Sequence, residues 1–216
     1  MISQKFVGRE KEKKILLNAL HSDSPEMVSL VGRRRVGKTF LVQSVYKKHI
    51  AFQITGIQNA PKSEQLQNFA IQLSKQSKSL LPVEVPKNWL SAFYLLSEFL
   101  ETKIKSKKVV VFLDELPWMA TQKSGFLRAL GWFWNSWAVK KNIVVVICGS
   151  AASWMIQKVV RDTGGLHNRI TRRITLTAFN LAETEKFLKI KNPKIERYQI
   201  LQLYMAMGGI PHYLKE

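Results

Sequence analysis

The residues best equipped for chemistry form one run, Gly32-Arg-Arg-Arg-Val-Gly37-Lys38-Thr39. Two glycines at this spacing let main-chain N–H groups turn inward around phosphate oxygens, and the lysine after the second reaches the same anion. A hydroxyl at the next position can ligate Mg²⁺. Apolar residues lead into the run, and Phe40, Leu41 and Val45 follow it at helical spacing. The run is therefore expected to join a buried strand to a helix, whose N-terminus adds about half a positive charge at the phosphate. The cradle is read as Gly32, Arg33, Arg34, Arg35, Val36, Gly37, Lys38, Thr39 and Phe40. An unliganded glycine turn is the plain alternative.

A second pair of chemical groups lies downstream, where the apolar run 109–113 ends in Asp114-Glu115. Ligands of open parallel sheets bind at the C-terminal ends of strands. There Asp114 can serve the Mg²⁺ together with Thr39, and Glu115 can polarise a water for in-line attack on a γ-phosphate. A second acid beside the metal acid favours hydrolysis over mere binding, and over a small-molecule kinase, for which no acceptor pocket can be read. A third apolar run, 143–148, ends in Gly149-Ser150. Ser150 is read as a sensor between the attacking water and the γ-phosphate, although serine after a strand is common. No Asn-Lys-x-Asp stretch follows the second strand, so ATP is expected rather than GTP.

These groups need a scaffold, and the hydrophobic pattern supplies one. Strands are expected at 27–31, 51–55, 109–113, 143–148 and 173–176, alternating with helices at 38–48, 63–78, 89–104 and 125–140. Continuous β-branched runs mark strands covered on both faces. The alternation argues for an α/β architecture: a parallel sheet with helices on each side. Beyond residue 180 the strand signal stops, and helices at 181–190 and 195–207 are broken by Asn192-Pro193. The expected organisation is a core over 1–180 and a helical appendage over 181–216, with the chain read as part of a longer polypeptide.

Composition narrows the class further. The 216 residues are 46% apolar and 23% charged, which excludes intrinsic disorder and low complexity. Thirty-four lysines and arginines against 15 acids give +19, an excess that raises the expectation of a polyanionic partner. Cys148 is the one cysteine; it cannot form an internal disulfide, and a reducing compartment is favoured. The four histidines are scattered and offer no metal-ligand spacing. No signal-like apolar region follows the charged start, and the longest uncharged stretch, 143–157, is too short and polar to span a bilayer. A cytoplasmic protein without a membrane partner is expected.

The motifs Phe6-Val-Gly-Arg-Glu10, Gly32–Thr39, Val111-Phe-Leu-Asp-Glu-Leu-Pro-Trp118, Cys148-Gly-Ser150 and Gly208-Gly-Ile-Pro211 together resemble the archaeal-type ATPases of the P-loop superfamily, relatives of the AAA+ and STAND ATPases. The resemblance implies a P-loop NTPase three-layer sandwich with a mainly parallel five-stranded sheet. It implies an extra strand between those bearing the glycine loop and Asp114, and then the start of a helical lid. It implies Val7, Gly8 and Arg9 folding over the adenine, and ATP and Mg²⁺ as ligands. The family usually continues into a winged-helix domain, which this chain lacks. A second sensor arginine carried there would be missing, which puts turnover by this chain alone in question.

Three readings of function follow: a nucleotide-driven conformational switch that hydrolyses ATP, a DNA-associated ATPase resembling initiators and loaders, and a nucleotide-binding module with little turnover. Arg169, Arg172 and Arg173 cluster after the Asp162-Thr-Gly-Gly165 turn. The resemblance to oligomeric ATPases makes Arg169 or Arg172 a candidate finger acting across a homo-oligomer interface, against solvated charge at a strand start. Basic clusters at 11–14, 47–48, 103–108, 140–141 and 186–194 are solvated faces individually but a candidate DNA surface together. Phe126, Leu130, Phe133, Trp134 and Trp137 share one helical face, whereas Trp132 projects away, a candidate anchor for a protein partner or a side chain packed under a loop.

Overall fold

The computed structural model describes residues 7–78, 82–104, 107–160 and 165–215. Phe6, Asp162, Thr163 and Gly164, named above, lie outside the described residues, as do Lys105 and Ser106 of one basic cluster. Five strands, β1 (Glu26–Gly32), β2 (Ile50–Thr55), β3 (Val109–Asp114), β4 (Ile143–Gly149) and β5 (Arg172–Leu176), form one sheet in the order β2-β3-β4-β1-β5. Every ladder in it is parallel. The expected intervening strand is β4, seated between β1 and β3.

The helices are α1 (Glu10–His21), α2 (Lys38–Tyr46), α3 (Lys62–Ser77), α4 (Trp89–Glu101), α5 (Leu116–Met119), α6 (Phe126–Ser136), α7 (Ala152–Met155), α8 (Leu181–Lys191) and α9 (Arg197–Met207). Pleating sends alternate side chains to opposite faces of the sheet, and the core divides accordingly. Val109, Val111, Leu113, Ile143, Val145 and Ile147 join Phe69, Trp89, Phe93, Phe126 and Phe133 from α3, α4 and α6. Val110, Phe112, Val144, Val146 and Cys148 join Leu16, Leu20, Leu41 and Tyr46 from α1 and α2. Asp114 shares the parity of Val110 and Phe112, so its carboxylate is directed to the α2 side. That parity brings it to the glycine loop.

Some boundaries differ from the sequence reading. The helix expected at 125–140 ends at Ser136 and yields to a tight turn at Ala138–Lys140. Trp137 leaves the helical path, and its indole N–H donates to Glu101 at 2.7 Å. α1 was not anticipated: it starts after Arg9, whose side chain offers no cap, yet it buries Leu16, Ala19 and Leu20 at helical spacing. β5 begins one residue earlier than expected, at Arg172, which pairs in register with Val28 of β1 and whose side chain meets Glu26 at 2.9 Å. Beyond the sheet, Asn180 and Glu183 form a reciprocal capping box that starts α8. Phe179, Leu188, Ile200 and Leu214 then make a separate small core, against which Val7 and Phe187 pack.

Candidate functional site

The site starts at the C-terminal end of β1. Gly32 ends the strand, the chain loops, and α2 begins at Lys38. Arg35 and Gly37 hold positive φ angles of 70° and 94°, which curl the loop back on itself. At Gly37 a side chain would be strained by φ, although a Cβ there would meet nothing within 4 Å. Gly37 is one of the residues lining the cavity above the loop. Lys38 is buried, and its ammonium donates to the carbonyls of Gly32 (2.9 Å) and Arg33 (3.1 Å), holding the loop closed beneath its amides.

The acids stand opposite. The Thr39 hydroxyl donates to Asp114 Oδ2 at 2.7 Å, and the Glu115 N–H donates to Asp114 Oδ1 at 3.0 Å. Glu115 adopts a left-handed conformation, φ 46° and ψ 48°, that turns the chain off β3 and into α5. Its Oε2 accepts from both the N–H (3.1 Å) and the hydroxyl (2.9 Å) of Ser150. Ser150 therefore stands behind Glu115, and the structure places it on the acid, where the sequence reading had put it between water and phosphate. Cys148, beneath them, is buried, and burial followed by the nearby Asp114 pushes its thiol well above the ordinary range.

A cavity of about 520 Å³ opens over the loop. Of the residues predicted from sequence, Val7, Arg9, Arg34 through Phe40 and Glu115 line it. Gly8 lies between two of these, packed against Glu183; Gly32, Asp114 and Ser150 sit one layer behind. Arg33 faces a different hollow, shared with Met205 and Tyr213. Sequence reasoning missed the far wall: Phe179, Phe187, Pro211, His212 and Lys215. The one signal for it was the Gly208-Gly-Ile-Pro211 motif, whose place in the site only the chain path reveals.

Arg9 joins the two walls. Its guanidinium donates to Thr177 O at 2.5 Å, lies 4.8 Å from the Phe179 ring centroid, and leaves Nε buried with no partner. Burial lowers its pKa, opposed by Glu183, whose carboxylate also accepts the Arg9 N–H at 3.3 Å. Arg34 stacks 5.1 Å from Trp118 and donates to Gln58 at 2.8 Å, while Arg35 lies 5.1 Å from Tyr213. Arg9, Arg34, Arg35, Lys38 and Lys215 thus face one carboxylate, Glu115, around the cavity. The field there suits a polyanion.

Arg169 and Arg172 are not brought to this cavity. Arg169 is exposed. Arg172 starts β5 at the opposite rim of the sheet, in an ion pair with the buried Glu26, so a catalytic role for either would have to be exerted on another subunit.

The residues present fit a nucleotide with Mg²⁺. Thr39 and Asp114 offer hard oxygen ligands side by side, and Mg²⁺ characteristically takes one or two such protein groups plus phosphate oxygens and water. Among the described residues, no group of three or more His, Cys, Asp or Glu could hold a metal unaided. Nor is any helix of the described residues long and apolar enough to cross a membrane.

Comparison with known proteins identifies a family and matches the fold. The model of a family described as an ATPase domain predominantly from Archaea matches residues 6–216. An uncharacterised protein of Methanocaldococcus jannaschii is 26% identical over 212 residues, covering 98% of this chain. The chain spans only 44% of that relative's length. A Walker-type ATPase of Pyrococcus abyssi has a similar fold, with TM-score 0.74 and 18% identity over 98% of this chain and 66% of that one. The Aeropyrum pernix ORC2 protein, solved in ADPNP–ADP complexes, gives 0.63 at 19% identity, covering 95% and 58%. The ORC1 protein of the same organism, solved with DNA, gives 0.64 at 13%, covering 98% and 58%.

Proposed function

The chain belongs to the family of ATPase domains found predominantly in Archaea, and on that premise we propose that it binds ATP with Mg²⁺ and hydrolyses it as a conformational switch. The observation that carries this reading is the Thr39–Asp114 contact at 2.7 Å, with Glu115 on the adjacent cavity wall. It sets a hydroxyl and a carboxylate side by side, with a second acid held by Ser150, against the same glycine loop, which supports the reading.

The main-chain amides of 34–39 and the α2 N-terminus hold the β- and γ-phosphates, and Lys38 exchanges its carbonyl partners for phosphate oxygens. Thr39 and Asp114 would hold Mg²⁺, which would neutralise charge on the phosphate oxygens. Glu115 orients a water through its free oxygen and accepts a proton as the water oxygen bonds to the γ-phosphorus. The bond to the β–γ bridging oxygen breaks, Glu115 passes its proton on to the released phosphate, and ADP and phosphate leave. Ser150 fixes the rotamer of Glu115. Val7, Arg9 and Phe179 supply an apolar and stacking wall for the base. Residues 181–216 act as the lid: α8 holds Arg9 through Glu183, Arg9 in turn donates to Val36 O of the loop at 3.5 Å, and the 208–215 turn meets the loop through Arg35–Tyr213, so occupancy of the cradle shifts their seating.

Equilibrium binding of labelled ATP and release of phosphate in Mg²⁺ test the proposal on wild type and Lys38→Ala. Wild type should bind and turn over, and the variant should lose affinity by about tenfold or more. Equal affinity in both would sink it. The net charge of +19 favours a second reading, that the ATPase works on DNA. Duplex affinity should then fall by ~0.9 log units per phosphate contact for each tenfold rise in salt; affinity indifferent to salt contradicts it.

A further inference from the structure

On the far side of the sheet from α1 and α2, the face built by α4 and α6 carries an aromatic and aliphatic surface that the nucleotide chemistry does not use. Trp132 is 36% exposed, Leu90 49% and Tyr94 53%, although each belongs to a helix whose other side is core. Trp132 forms a ridge between two hollows of about 540 Å³ each. One is aliphatic, floored by Val83, Val85, Leu90 and Leu95. The other is basic, with Lys62, Lys123 and Arg128 around Trp89 and Leu90.

The basic hollow has a further property. The N-terminal ends of α3, α4 and α6, helices of 16, 13 and 11 residues, all open onto it, at Lys62, at Asn88–Leu90 and at Ser124–Gly125. Their dipoles add positive potential to that of the side chains. None of Lys62, Lys123 and Arg128 is engaged in an ion pair among the described residues. The Arg128 guanidinium stands near Gly125, at the mouth of α6. Across the ridge, Lys87 adds a cation and Glu84 the one acid lining the aliphatic hollow.

We propose that this face docks an acidic peptide segment of a protein partner, its carboxylates in the basic hollow and an aliphatic side chain in the other, clamped across Trp132. Charge complementarity fixes the sign of the ligand. Tyr94 and Trp132 also line the aliphatic hollow, but Val83, Val85, Leu90 and Leu95 fit an aliphatic side chain and Glu84 among them repels a phosphate, so the hollow favours a peptide over a nucleic acid. The loop bearing Lys123 and Ser124 follows α5, which Glu115 immediately precedes. Seating a partner there loads the segment that aims the catalytic acid.

Random dodecapeptides displayed on phage, panned on the full chain, test this, with enriched sequences titrated as fluorescent peptides by anisotropy. Enriched peptides should combine Asp or Glu with Leu, Ile or Val. Their affinity should fall about tenfold or more with Trp132→Ala, with Arg128→Glu and when the peptide acids become amides. Lys186→Glu on α8 should leave affinity unchanged. Retained binding of an ATP analogue verifies the fold of each variant, and Arg128→Gln replaces Arg128→Glu should the latter misfold. The proposal is overturned by enriched peptides without acids, by affinities indifferent to Trp132 and Arg128, or by oligothymidylate binding this face in preference to the peptides.

Discussion

Replacing Ser150 by alanine removes one of the two donors that hold Glu115 Oε2 and keeps the other. The hydroxyl bond is 2.9 Å and the backbone N–H bond 3.1 Å. Losing a hydrogen bond to a charged group costs about 1.5–3 kcal/mol. Both residues are half-buried and the amide continues to hold the carboxylate, so the low end applies, about 1.5 kcal/mol or roughly tenfold in kcat. Ser150 lies behind Glu115, outside the cavity wall, so nucleotide affinity should stay within about twofold. Phosphate release at saturating ATP, paired with equilibrium binding of a nonhydrolysable analogue, separates the two quantities. Ser150→Thr, which keeps a hydroxyl, should restore most of the rate. An unchanged or faster kcat in Ser150→Ala, or a loss of affinity matching the loss of rate, would refute the view that this serine acts by positioning the acid.

Other consequences follow from the same contacts. Gly37→Ala should cost the unliganded fold only the left-handed strain, about 1–2 kcal/mol by thermal unfolding, because its Cβ meets no atom; the affinity for ATP should drop far more, since the methyl fills the cradle. Arg172→Ala should lower stability by about 1–3 kcal/mol by leaving Glu26 short of a donor. Burial pushes the Glu26 carboxyl up, but hydrogen bonds from Arg172, Thr171 and Ser22 outweigh it, and the net pKa lies below the ordinary glutamate value. Its contribution is therefore present above the unfolded-state pKa and lost as pH falls through the folded one; the acid limb of a stability–pH curve should flatten in Arg172→Ala. An arginine acting in trans would instead appear as restored hydrolysis when Arg169→Ala and Lys38→Ala chains are mixed, and its absence would assign Arg169 to the solvated surface.

What the sequence conveys of this site is its local part. The glycine loop is legible because its backbone geometry and both flanking elements are written within a few residues, and the sheet because continuous apolar runs have no other soluble home. The parity that directs Asp114 toward Thr39 follows from pleating once β3 is recognised. The far wall of the cavity does not follow, because Arg9 reaches Thr177 across 168 residues of chain, and no pattern encodes that return. Ser150 is read from its position at a strand end, but its partner depends on the left-handed turn at Glu115, an unusual conformation for a side chain of that size. Arg172 is read from its type and company, but its intrachain partner Glu26 follows only from the register of β5 against β1. α1 escaped notice because its start lacks a capping side chain and its buried stripe is short.

The most direct test of the account is Glu115→Gln, which removes the proton acceptor while keeping the shape and the Ser150 contact. The variant should retain ATP with wild-type affinity in Mg²⁺ and release phosphate about a hundredfold more slowly or worse. Phosphate release at the wild-type rate from Glu115→Gln would contradict it.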